Sequence, residues 1–290
     1  MTDVATENLE AQEAWNGVLF DRFLSYRDIV IGGLATFGDE ALRVYPPKPG
    51  NRVLDVGCGF GDTAQELAKL VGPSGSVLGV DIAPRFIEQA QHEADEAGVA
   101  NVSFEVRDVQ QTTFDDSFDY VFSRFGTMFF DNPVPALRNV RAAMPDGALF
   151  CSVTWRRKVD NPWLYVAEEV VKPLLPDPDE SETDEPRCGP GPFSMADADT
   201  ATGQLVSAGF RDITLRRFDA NLPFGTSLDR AVEMNLALGP AAEALRLAGD
   251  RGEEMRPELE RLLLDALRRF VQDDGRVEAQ ASTWIVTARA

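Results

Sequence analysis

Histidine is nearly absent from this chain of 290 residues: His92 is the single one. It falls in Glu88-Gln89-Ala90-Gln91-His92-Glu93, which reads as the solvated face of a helix. A working base in an open α/β sheet belongs at the strand ends instead. With no second histidine, a Ser/His/Asp or Cys/His relay cannot be assembled, and hydrolases of that kind drop out. Cysteine is sparse too. The three cysteines are far apart and odd in number, against a disulfide framework or a zinc site, and no metal is expected.

Positive charge is the next shortage. Lys and Arg number 28 against 48 Asp and Glu, for a net charge of −20. There is no basic stripe, and phosphate contacts supply most of the affinity for nucleic acids, so a nucleic-acid partner is not expected. The acid excess reads as solubility or a salt-rich source. No apolar run approaches a membrane span. Residues 1–7 hold neither the basic region nor the apolar run of a signal peptide, which makes cytoplasm the expected location.

What the chain does have is Val53-Leu54-Asp55-Val56-Gly57-Cys58-Gly59-Phe60-Gly61-Asp62. Strand-forming residues break into a turn with glycine at alternate positions, and a helix follows. Glycines there let a ligand approach the backbone, and the helix aims its first amides at that ligand. The spacing separates two cofactors: a dinucleotide fingerprint needs Gly-x-Gly-x-x-Gly, and its last position here is Asp62. Cys58, inside the turn, is either a reactive thiol or a small packing residue.

Three further apolar runs follow, with acids at the ends of the first two. Ser76–Asp81 ends in a carboxylate placed to accept hydrogen bonds from both hydroxyls of a ribose, with Ile82 next to it. Val102–Val109 carries Asp108 near its end, and Phe118–Arg124 makes the fourth run. The acid-x-Gly-x-Gly-x-Gly motif and the four strand ends in this order resemble class I S-adenosylmethionine (SAM) methyltransferases, most closely the ubiquinone/menaquinone-biosynthesis branch. The resemblance covers about Arg52 to Trp155 with specific motifs, and the rest by topology. It implies SAM as cofactor and S-adenosylhomocysteine (SAH) as product. It also implies cofactor contacts from Asp55, Gly57, Cys58, Gly59, Gly61, Asp81, Ile82, Asp108, Val109 and Ser123. Asp108 would take the adenine amino group, Val109 N–H would meet the ring, and Asp55 would lie near the methionine amino group unless it only holds the turn.

Strand and helix alternate from Arg52 to Trp155, which predicts right-handed crossovers and a parallel sheet. Helices are expected near Thr63–Val71, Arg85–Ala97 and Val134–Met144, and a fifth strand over Ala148–Trp155. The expected fold is α/β: a Rossmann-like, mostly parallel sheet of seven strands with helices on both faces. Residues 1–50 form a helical lid, 51–155 the SAM-binding core and 156–195 a proline- and acid-rich insert. Residues 196–290 complete the sheet with a helix at Ala196–Ala208 and strands at Phe210–Phe218 and Val277–Ala288. The family places the last strand antiparallel, between the fifth and sixth. Between those two strands, about 226–274, Leu259, Leu263, Leu267 and Phe270 repeat at helical spacing. This is a helical cap shaping an acceptor pocket, or a helix packed on the sheet.

Candidate acceptor contacts are Trp15 and Phe20 in the lid, and Arg124, Phe125, Met128 and Phe129 just past the fourth strand. Aromatics at that place either face the substrate or form core beneath a loop. Arg124 is suited to a carboxylate or phosphate. Asn161-Pro162-Trp163 and Gly189–Phe193 flank the acidic insert and are further candidates for shaping that site. The catalytic residue, if one is needed, is not identified. The expected activity is methyl transfer to O, N or C of a soluble small molecule. The alternatives are a SAM-fold enzyme moving another group, or a SAM-binding module that works through protein partners.

Overall fold

The computed structural model describes residues 8–175 and 190–290. Residues 176–189 of the proline- and acid-rich insert expected at 156–195 therefore lie outside the described residues. In chain order the elements begin with α1 (Leu9–Ala14), a π-helical turn (Trp15–Leu19), α2 (Phe20–Ser25) and α3 (Arg27–Val44). The central section runs β1 (Arg52–Val56), α4 (Asp62–Val71), β2 (Ser76–Asp81), α5 (Pro84–Glu96), β3 (Val102–Val106), β4 (Tyr120–Arg124), α6 (Pro133–Ala142) and β5 (Leu149–Trp155). After it come α7 (Pro162–Val171), α8 (Ala198–Ser207), β6 (Arg211–Gly225), α9 (Leu228–Ala237), α10 (Pro240–Ala248), α11 (Asp250–Leu267) and β7 (Val277–Arg289).

The seven strands form one sheet in the order β3-β2-β1-β4-β5-β7-β6, parallel except for β7, which runs antiparallel to both neighbours. Both faces are covered because the central strands are apolar at successive positions. Val53, Phe122, Cys151 and Ile285 enter one core cluster, while their chain neighbours Leu54, Val121, Phe150 and Val286 enter the other. Helix starts are set locally. Proline occupies the first turn of α5, α6, α7 and α10, and Asp197 and Ser227 accept from the backbone N–H of Thr200 and Arg230 to cap α8 and α9.

Two elements differ from the sequence expectation. The sixth strand extends to Gly225, well beyond Phe218, and stays paired with β7 to the Gly225–Val277 register. Pro223 would argue against a strand in the sheet interior, but β6 is the sheet edge, where a missing N–H costs little. Beyond the long β6–β7 ribbon, α9 packs on β6 and against α10 and α11, which in turn pack on α7. The N-terminal region is helical as expected but broken. Gly17 leaves helical geometry at φ −105°, ψ −114°, and a second break falls at Tyr26.

Candidate functional site

At the carboxyl ends of β1, β2 and β4 the strands open into a cavity of about 790 Å³. Ligand sites span about 300–1,000 Å³, so this is a large one. One half is built from the strand ends. Gly57 and Gly59 both have positive φ, 69° and 53°. A Cβ at Gly59 would face open space, with nothing nearer than the Phe86 ring edge at 4.0 Å. That space is where a ligand would lie against the backbone.

The acids at the strand ends differ in their partners. Asp81 accepts from the N–H of Gly59 at 3.0 Å and of Ala83 at 3.1 Å, so it ties the glycine turn to the start of α5. Burial nonetheless raises its pKa above the usual carboxylate range. Asp55 has only 1% of its surface exposed, and its Oδ2 has no hydrogen-bond partner. Burial pushes its pKa up to about 7, with Arg124 pulling it down and Asp81 pushing it further up. Asp108 accepts from the N–H of Gln110 at 3.0 Å and from the amide of Asn8 at 2.8 Å. Gln12 donates to the carbonyl of Ile82 at 2.9 Å, so α1 is fastened over the same strand ends.

Of the candidate cofactor residues, Asp55, Gly57, Cys58, Gly59, Asp81, Ile82, Asp108 and Val109 line the cavity. Gly61 and Ser123 do not. A Cβ on Gly61 would come within 2.7 Å of the Phe104 ring and 2.9 Å of Ala90, so this glycine serves the packing of α4 and α5 on the sheet. Ser123 is fully buried and donates to the Val56 carbonyl at 2.7 Å, bracing β4 against β1. The Cys58 thiol is pushed well above its ordinary pKa by burial and by Asp81 and Asp55. That makes it a packing residue rather than a reactive thiol.

The other half of the cavity lies beneath the cap. Phe125 sits at φ 59°, an outlier for an aromatic residue, and stacks on Trp155 at 4.2 Å between ring centroids. Trp15 meets Phe129 edge-on at 4.9 Å. Trp15, Arg124, Phe125, Met128 and Phe129 all line the cavity, and so do Trp163 and Phe193. Phe20 does not: it is packed among Phe60, Phe86 and the Arg85 guanidinium, outside the wall. Trp155, Lys158, Glu168, Met234, Leu238 and Arg246 also belong to the wall and were not among the candidates from the sequence. The last three come from the insert, whose position between two sheet strands was the available signal. Lys158 and Glu168 form an ion pair at 2.6 Å in this wall, with the Glu168 carboxylate buried. His92 stands apart on α5, exposed and 3.6 Å from Glu96.

Among the described residues no group of three His, Cys, Asp or Glu side chains stands close enough to hold a metal, and no helix is long and apolar enough to cross a membrane.

A methyltransferase-domain family model matches residues 47–182. Aklanonic acid methyltransferase DauC of Streptomyces sp. (strain C5) is 41% identical over 101 residues, 34% of this chain and 46% of its own length. The chain thus spans about half the length of that relative. The ubiquinone/menaquinone biosynthesis C-methyltransferase UbiE of Ectopseudomonas mendocina (strain ymp) is 31% identical over 196 residues, 64% of this chain and 76% of its own length. The crystal structure of the YcgJ protein of Bacillus subtilis superposes with a TM-score of 0.56 over 88% of this chain and 98% of that one. At 17% identity it shares the fold. Glycine turn, strand-end acids, sheet order and these likenesses agree: the chain belongs to the class I SAM-dependent methyltransferases.

Proposed function

We propose that the strand-end half of the cavity binds SAM and that the half under the cap holds a soluble, largely apolar small molecule. The methyl group passes to an O, N or C atom of that acceptor. The observation that carries the reading is the continuity of one cavity from Asp55, Asp81 and Asp108 to Phe125, Trp155 and Trp163. DauC and UbiE, named for aklanonic acid and for quinone biosynthesis, are consistent with a small-molecule acceptor between aromatic walls.

The residues present fit SAM. Asp55 offers an unpartnered buried oxygen to an ammonium, and the space over Gly59 accommodates a ligand at the backbone. Asp81 and Asp108 offer carboxylates to the ribose hydroxyls and the adenine amino group. When bound, SAM supplies an electrophilic methyl on a sulfonium, so the protein need not activate the donor. The chain's own work is to orient and to exclude water. Phe125, held out of ordinary backbone geometry and stacked on Trp155, walls the junction between the two halves. Trp15 closes over Phe129 from the other side. Positioning of this kind removes much of a displacement barrier when the reacting atoms are held at roughly 3–3.5 Å. A base is required only for an acceptor that enters protonated.

The test is incubation with methyl-labelled SAM and a small-metabolite extract of the source cells, read by mass spectrometry. A labelled product whose mass has risen by one methyl group is expected. Transfer of a different part of SAM, or binding of SAM with no product from any extract fraction, would contradict the reading.

A further inference from the structure

We infer that Arg230, on the inserted helix α9, is a positioning residue that latches the N-terminal helices over the cofactor half, with their hinge at Tyr26. The inference rests on the cofactor reading above and adds a gate through which SAM and SAH pass.

Tyr26 separates α2 from α3 at φ −114°, ψ 21°. Behind this break α3 is fixed to the body of the protein. Arg27 donates to Glu93 at 2.7 Å and to Asp62 at 3.1 Å, and its guanidinium lies 4.5 Å from the centroid of the Phe60 ring. Further along α3, Glu40 accepts from Arg216 of β6 at 2.8 Å. Ahead of the break, single side chains tie the chain down over the strand ends. Asn8 and Gln12 hold α1 to Asp108 and Ile82, Asn16 accepts from the backbone N–H of Arg85, and Asp21 pairs with Arg85 at the surface. This segment crosses the strand-end acids and has to lift for a ligand to reach or leave them.

Arg230 meets the segment at the break itself. Its guanidinium donates to the carbonyl of Ser25, the last residue of α2, and lies 4.1 Å from the centroid of the Tyr26 ring. The last carbonyls of a helix have no partner within it, and a cation there also suits the helix dipole. Glu233, one turn on along α9, holds the guanidinium at 3.2 Å. The joint around this contact is loosely filled: Arg22 and Tyr26 face Glu233, Leu236 and Arg256 across a hollow of about 200 Å³. Close-packed interiors leave few voids of that size, so the arginine bridges a joint that packing alone does not seal.

Helix α9 also reaches the acceptor half, where Met234 and Ala237 line the large cavity. One helix therefore joins the acceptor wall to the hinge of the cofactor half. Ser25, Tyr26 and Arg230 themselves lie outside that cavity's wall, so the latch is made by protein groups alone. It stabilises the closed segment to the same extent whatever the cavity holds. Its loss eases opening in both directions and cancels from the affinity.

Stopped-flow binding of SAH to the full chain reads this directly. In Arg230→Met, association and release should both quicken roughly tenfold, with the dissociation constant changed by less than about twofold. Tyr26→Leu should act in the same direction and add little in the double variant, because the two residues share one contact. Hydrogen exchange of Arg230→Met without ligand should rise at the amides of residues 9–25 and stay unchanged over 28–44. Unchanged rates, or faster release with a matching loss of affinity, would overturn the latch. So would an exchange rise confined to residues 9–16, which would set the hinge at Gly17, or a rise throughout the chain, which would reduce Arg230 to a structural role. If Arg230→Met does not fold, Tyr26→Leu carries the same expectations and the same overturning results. Failure of SAH to bind the wild type would overturn the cofactor reading, while the exchange measurement still decides the latch.

Discussion

Asp55 is a carboxylate that the folded protein shields from water and leaves with an unpartnered oxygen. Its pKa rises from the ordinary 3.8 to about 7, chiefly because burial disfavours the charge. The native state therefore holds this proton more tightly than the unfolded chain does. Its contribution to stability is intact below the unfolded pKa and is lost as pH rises through about 7. Asp55→Asn should thus raise the melting temperature of the ligand-free protein at pH values above that point, while weakening SAH binding. A variant that melts lower there without ligand would contradict this. For the wild type, SAH affinity should climb with pH and level off above about 7, since a cationic group favours the ionised carboxylate. The motif made Asp55, Asp81 and Asp108 legible, because each is the last acid on an apolar run. Gly61 and Ser123 were not legible as packing residues, since a sequence gives no sign of which ring or carbonyl fills the neighbouring space.

The same division holds for whole elements. Alternation and glycine turns disclosed the parallel core, and the repeat of Leu259, Leu263 and Leu267 disclosed α11, where all three are fully buried. The length of β6 was hidden because Pro223 reads as a stop unless the strand is known to be an edge. The break at Gly17 was hidden because periodic aromatics continue across it. Two predictions belong here. Helix α11 supports α7, which brings Trp163 and Glu168 to the wall. Leu263→Ala should cost about 2–5 kcal/mol in denaturant unfolding. It should leave SAH affinity intact at temperatures where the protein stays folded. An equal loss of SAH affinity would show that cap and cofactor half are not separable. In the N-terminal helices, Trp15 touches Phe23, Phe86 and Phe129. Removing such contacts costs about 0.5–1.5 kcal/mol per aromatic pair beyond area burial, so Trp15→Ala should speed SAH release by roughly tenfold or more. An unchanged release rate in stopped-flow measurements would contradict a lid role for these helices.

Across the molecule, a net charge of −20 leaves the acids mutually repelling. Many ion pairs are exposed contacts three residues apart along a helix, such as Arg261–Glu258 and Lys69–Glu66, and such pairs contribute little. Raising ionic strength from about 0.01 to about 0.15 M shortens the screening length from about 30 to about 8 Å. The melting temperature should rise over that range, and a fall would mean that attractive pairs outweigh the repulsion. At this scale the central claim is that one cavity seats donor and acceptor together, with the strand-end acids on the donor. A crystal structure of the protein with SAH tests it most directly. The account predicts adenine beside Asp108, ribose on Asp81, the amino-acid end beside Asp55, and the sulfur facing the lobe of Phe125 and Trp155. SAH seated elsewhere, or turned so that its sulfur faces away from that lobe, would contradict it.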